Sequence, residues 1–110
     1  MTILTGYRLM WMLVMFDLPV GTPVQRKAAT AFRGSLLDDG FEMVQFSVYT
    51  RLCSSREQAN THVRRVENEL PEGGKVDILF FTDKQYERMM SYTSGKRQSA
   101  RKNPDQLVMF

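Results

Sequence analysis

The chain opens on an unbroken apolar run, Leu9-Met10-Trp11-Met12-Leu13-Val14-Met15-Phe16, preceded by Arg8 and closed by Asp17-Leu18-Pro19-Val20-Gly21. A run apolar at every position predicts a central strand covered on both faces, and the cluster of turn formers after it predicts where the strand stops. Thr22-Pro23 predicts a helix start, with a hydroxyl to cap free amides and a proline where its missing N–H costs nothing. This helix is expected to run to about Asp38 and end at Asp39-Gly40. On a helical wheel Val24, Ala28, Ala31, Phe32 and Leu36 form its core-facing stripe, with Arg26 and Arg33 sharing the opposite face and Leu37 on the polar side.

Residues 41–52 alternate as an extended segment, with Val44, Phe46 and Val48 on one side and Met43, Gln45, Ser47 and Tyr49 on the other. Such a length exceeds the usual strand of about 5–6 residues, so a reversal near Ser47 would divide it, although neither Gly nor Pro marks the place. Ser54-Ser55 opens a second helix, with Ser55 and Gln58 in a capping-box pattern and Ala59, Val63, Val66 and Leu70 as its apolar stripe. Pro71 and Gly73-Gly74 stop it. Residues 75–82 predict another strand. Residues 93–104 predict a polar, basic, flexible linker, and Gln106–Phe110 a last short strand.

The pattern defines one domain over 1–92, the linker over 93–104 and a terminal strand over 105–110. With the middle segment split, the order is β-α-β-β-α-β, an α+β fold of the ferredoxin-like arrangement. Right-handed crossovers put both helices on one face of the sheet. The other face stays apolar, and a second copy of the chain is the simplest cover for it.

Composition sharpens this little. The 110 residues are 43% hydrophobic and 25% charged, with a net charge of +3. Four of the fifteen bases (Lys96, Arg97, Arg101 and Lys102) lie in the acid-free 93–104 segment, so the rest of the chain is nearly neutral. A pI of 9.2 therefore does not by itself make this a nucleic-acid-coating domain. A lone Cys53 excludes an internal disulfide, and one Cys with one His cannot build a zinc site. The apolar run is too short for a bilayer span of about 20 residues and has no clean small-x-small cleavage site after it. It reads as a buried strand of a cytoplasmic protein with no membrane partner.

There is no GxxxxGK[ST] loop, GxGxxG fingerprint or Gly-x-Ser-x-Gly elbow. His62 reads as a surface or boundary histidine, and Cys53 as a small buried hydrophobe rather than a nucleophile. Asp17 is the candidate of interest, because it places a carboxylate at the C-terminal end of an apolar strand, where ligands collect in open sheets. It reads either as a cap on the Asp-Leu-Pro turn or as one ligand of Mg²⁺, which two copies of Asp17 would hold across a two-fold axis. Arg26, Lys27 and Arg33 lie in a stretch without acids, and their helix face reads either as solvated or as contacting phosphates.

At this point the residues resemble a known family. Phe16-Asp17-Leu18-Pro19, the Thr-initiated helix with Arg26, Gly40-Phe41 and Gln45-Phe46-Ser47-Val48-Tyr49 are similar to the second core CRISPR-associated protein, the small metal-dependent nuclease subunit of the spacer-acquisition machinery. Phe81-Thr82-Asp83-Lys84-Gln85-Tyr86 looks like the subgroup that accompanies single-effector, Cas-nine-type systems. The resemblance implies a ferredoxin-like homodimer with Mg²⁺ or another divalent cation between paired Asp17 residues. It implies endonuclease activity on RNA or DNA, with single-stranded RNA among the expected partners, Asp17 as catalytic residue and Arg26, Lys27 and Arg33 as nucleic-acid contacts. It equally implies an alternative role as a scaffold that bridges dimers of the CRISPR integrase subunit and binds double-stranded prespacer DNA. The strand at 106–110 would add across the dimer. Many members carry Tyr where this chain has Phe16, so any role of that phenol is missing here. An RRM-type RNA-binding module is disfavoured by the lack of an RNP1 run. A toxin-type ribonuclease on the same dimer plan differs mainly in its neighbouring genes.

Overall fold

The computed structural model describes residues 9–99. The elements are β1 (Met10–Asp17), α1 (Pro23–Asp38), β2 (Glu42–Gln45), β3 (Val48–Cys53), α2 (Arg56–Asn68), β4 (Lys75–Thr82), α3 (Asp83–Glu87), β5 (Tyr92–Thr93) and β6 (Lys96–Arg97). The first four strands form one sheet in the order β2-β3-β1-β4, with every neighbouring pair antiparallel. Within it β1 is a central strand, as its unbroken apolar run requires.

Strand alternation sorts β1 into two sets. Met10, Met12, Val14 and Phe16 are buried in one cluster with Phe32 and Leu36 of α1 and Ala59 and Val66 of α2. Both helices therefore cover the same side of β1. Of the residues pointing the other way, Met15 and Asp17 are exposed. Opposite Leu13 in the register stands Leu79, also exposed.

The first helix starts as expected. The Thr22 hydroxyl accepts from the Gln25 amide at 3.1 Å, and the Gln25 side chain accepts in return from the Thr22 amide at 3.0 Å. Its buried stripe, however, is Ala29, Phe32 and Leu36, while Val24 and Ala31 are exposed. This is a rotation of roughly 70° from the expected stripe, at 100° per residue. Phe32 drives the rotation by packing edge-to-face on Phe16, with ring centroids 5.1 Å apart.

The 41–52 segment does reverse at Ser47. Phe46 and Ser47 make a two-residue turn, and Ser47 has a φ of 66°, left-handed for a residue with a Cβ. The Phe16 amide donates to the Ser47 carbonyl at 3.1 Å, which ties this turn to the end of β1. No local residue signals the reversal, because the contact that supports it lies some thirty positions earlier in the chain.

In α2 the Ser55 hydroxyl caps the Gln58 amide at 3.1 Å, but the Gln58 side chain accepts from Ser54, one residue earlier than a closed capping box requires. Val63 packs beside the core as expected, whereas Leu70 is exposed beyond the helix end. His62 is a correction: it is buried, with Nδ1 2.7 Å from Asp39 Oδ2. Asp39 caps the C-terminus of α1, where a carboxylate is unfavourable, and gathers Arg65 at 2.7 Å on its other oxygen. Its carbonyl also accepts from Arg51. The short helix α3, absent from the sequence reading, is closed by a Thr82–Gln85 capping box, and its Tyr86 stacks on Trp11 at 4.3 Å.

The segment from residue 93, expected to be a flexible linker, begins in a hairpin. Tyr92 pairs with Arg97 and Thr93 with Lys96 around Ser94-Gly95, both with positive φ. The rest of that segment from residue 100 and the expected strand at 106–110 lie outside the described residues. Among the described residues no helix is long and apolar enough to cross a membrane.

Candidate active site at the end of the first strand

Asp17 is the last residue of β1, and its position follows from its neighbour. Phe16 points inward and is held by Phe32 and by Tyr49, whose ring lies 5.7 Å away and nearly parallel. Burying such a ring contributes about 1.5–3 kcal/mol, so the strand end is firmly set, and alternation turns the Asp17 carboxylate outward. Across the ladder Asp17 faces Lys75, and Lys75 Nζ lies 3.7 Å from Asp77 Oδ2.

A second restraint acts through the main chain. Gly74 has a φ of 75°, and a Cβ there would stand 2.5 Å from the Asp17 carbonyl oxygen and 3.0 Å from the Leu18 Cα. Only glycine fits that approach. Gly74→Ala is expected to cost about 1–3 kcal/mol, read as a lower urea midpoint, because both the backbone angle and the contact become unfavourable.

Two grooves meet at Asp17. One, of about 480 Å³, lies towards α1 and is lined by Asp17, Arg26, Thr30, Arg33, Phe46 and Ser47 among others. The second, of about 240 Å³, lies towards the open side of the sheet and adds Met15, Val48, Lys75 and Asp77 to Asp17 and Phe46. Phe46 lines both.

The rotation of α1 explains why the arginines are here. Arg26 and Arg33 fall on the edge of the true buried stripe, beside the strand end, instead of on the far side of the helix. Arg26 Nη1 donates to the Val20 carbonyl at 3.0 Å and so holds the loop after Asp17. The Arg33 guanidinium lies 5.6 Å from the Phe16 ring centroid and 4.6 Å from that of Phe46. Among the described residues neither arginine has an acidic partner, and Arg33 Nε is buried without a hydrogen bond. The groove towards α1 thus joins one carboxylate to two cations without an acidic partner among the described residues, a set suited to a phosphodiester. Lys27 is exposed on α1 and does not line either groove.

Of the expected site residues, the structure brings Asp17, Arg26 and Arg33 together and leaves Lys27 apart. Sequence reasoning missed Phe46, Ser47, Lys75 and Asp77. A shared groove was their only common property, and no spacing in the chain encodes it. Cys53 is fully buried, and burial pushes its thiol up, in keeping with a packing role.

The donor chemistry can be tested against a divalent cation. Among the described residues there is no cluster of three or more acidic, His or Cys side chains able to hold a metal. One chain therefore offers Asp17 as an outward carboxylate oxygen donor. That fits Mg²⁺, which keeps several waters and is commonly bound through one or two carboxylates.

An exposed acidic strand end, flanked by arginines without an acidic partner among the described residues, sits on a four-stranded antiparallel sheet of a small mixed α/β protein. The family model described as CRISPR associated protein Cas2 matches residues 10–89, and the chain belongs to that family. It is 63% identical to a CRISPR-associated endoribonuclease Cas2 of Paracidovorax avenae, over 97% of this chain and 99% of that one. It is 48% identical to a protein of the same name from Flavobacterium psychrophilum, over 99% of this chain and 95% of the relative. A solved structure described as a crystal structure of cas2 shares the fold with a TM-score of 0.57 at 19% identity, covering 86% of this chain and 97% of the other.

Proposed function

We propose that the chain is a metal-dependent phosphodiester endonuclease of CRISPR adaptation, acting as a homodimer in the cytoplasm. The observation that carries this reading is the grouping of outward Asp17 with Arg26 and Arg33, cations without an acidic partner among the described residues. The names of the relatives, endoribonucleases, support the same chemistry.

In this reading the β-α-β-β-α-β order is the ferredoxin-like arrangement, and the open sheet face with Leu13, Met15 and Leu79 pairs with a second copy. Two Asp17 carboxylates would then hold Mg²⁺ or another divalent cation, which would supply Lewis acidity toward the phosphodiester and lower the pKa of a water. Arg26 and Arg33 orient the substrate and meet charge on the phosphoryl oxygens. Gly74 and Phe16 hold Asp17 in place. The Phe81–Tyr86 stretch fits the Cas-nine-type subgroup.

The same uncompensated arginines favour a second reading, in which the dimer grips prespacer DNA and docks the integrase subunit without cutting. The deciding experiment incubates the purified protein with single-stranded RNA, single-stranded DNA and duplex DNA. Cleavage in Mg²⁺ that disappears with EDTA and returns with added Mg²⁺ is expected. Binding without cleavage of any substrate would leave the scaffold role alone.

A further inference from the structure

We propose that Phe46 is a base-stacking platform that makes the Asp17 groove selective for an unpaired nucleotide. The proposal deepens the nuclease reading by naming a residue that selects the substrate, and it rests on that reading only for the identity of the neighbouring chemistry.

Phe46 occupies the tip of a two-residue turn and is 78% exposed, an unfavourable place for a large apolar ring unless something covers it. The turn is not loose. Ser47 holds a left-handed backbone angle, and its carbonyl is bound by the Phe16 amide, so the ring's base is fixed one residue from the end of β1. The Arg33 guanidinium lies over this ring at 4.6 Å. With one face occupied by a cation and most of the ring exposed, the other face is open to a second planar group.

Arg33 points to what that group belongs to. It has no acidic partner among the described residues, so its charge is met by ring faces alone. A nucleotide satisfies both demands at once, with its base on the free face of Phe46 and its phosphate towards Arg33. Because Phe46 and Asp17 line the same two grooves, a base held there sets an adjacent phosphodiester beside the carboxylate. A paired base inside a duplex is already stacked on both sides and cannot take this position without leaving the helix. The site therefore prefers a single strand.

The test compares the full chain with Phe46→Leu and Phe46→Trp, in EDTA so that binding is read without cleavage. The probes are a single-stranded RNA, a single-stranded DNA of the same sequence and a duplex, with 2-aminopurine in the single strands. Phe46→Leu is expected to weaken single-strand binding about tenfold or more, the size of one lost base–aromatic stack, with duplex binding unchanged. Phe46→Trp should retain affinity, and 2-aminopurine quenching should vanish only in the leucine variant. Thermal melts verify that these exposed substitutions leave the fold intact. Equal loss on single strand and duplex, no loss in Phe46→Leu, or no single-strand binding by the parent would each overturn the proposal. The RNA and DNA arms show whether the sugar matters. If the parent cuts no substrate in Mg²⁺ while Phe46→Leu loses single-strand binding, the nuclease assignment falls and the stacking site stands.

Discussion

Asp17→Ala is expected to reduce Mg²⁺-dependent cleavage about a hundredfold or more while leaving the melting curve close to that of the parent. The two halves of this outcome have separate causes. Asp17 is exposed and makes no side-chain hydrogen bond among those the structure shows, so its removal costs the fold little. Loss of a residue that merely supports a metal ligand typically costs 10–100-fold in affinity or activity, and in the proposed reading the ligand itself is deleted, with no cluster of three or more metal-ligating side chains among the described residues to replace it. Asp17→Asn provides a stricter version, because it keeps the volume and removes the charge. Product formation on a single-stranded substrate, with folding followed by circular dichroism, reads both. An alanine variant that cuts like the parent would move the chemistry to another residue.

The second large effect is on stability and lies away from this site. Asp39→Ala is expected to destabilise the protein by about 1–3 kcal/mol, read as a lower urea midpoint with unchanged slope. The Asp39 side chain is only 11% exposed and answers both His62 and Arg65 at 2.7 Å, so its removal leaves a buried imidazole unpaired. Arg65→Ala should cost under about 1 kcal/mol, since its side chain is 60% exposed and loses only a largely solvated ion pair. His62→Ala falls between them. Equal effects from Asp39 and Arg65 would mean that the network is held by charge at the surface rather than by the buried pair.

Much of the fold was legible because it is encoded locally. The apolar run of β1, the Thr22-Pro23 start, the Ser55 cap and the glycines after α2 each carry their own signal, and their elements stand where those signals put them. The departures share a different cause. The α1 stripe is rotated because Phe32 seeks the Phe16 ring, and Ser47 turns because a distant amide holds its carbonyl. His62 is buried because Asp39 reaches it from another helix end. None of these partners is near in sequence. The hairpin at 92–97 is the exception: Ser94-Gly95 is a local turn signal, set within a polar, basic stretch whose composition reads as linker. Within the candidate site, Asp17 stands out by its place at a strand end, and Arg26 and Arg33 by their acid-free surroundings. The geometry that joins them to Phe46 depended on the rotation of α1.

The contact between Gly74 and the Asp17 carbonyl has a consequence for how this chain can vary. Backbone presses on backbone there, so a residue inserted next to Gly74 would act as a lever on the carboxylate, whatever side chain it carried. Among the described residues the Ser94-Gly95 tip has no such neighbour, and a Cβ at Gly95 meets nothing within 4 Å. Peptide tags or extra residues should therefore be absorbed at that tip and rejected at the glycine crossing, which makes the former the natural point of attachment for a reporter.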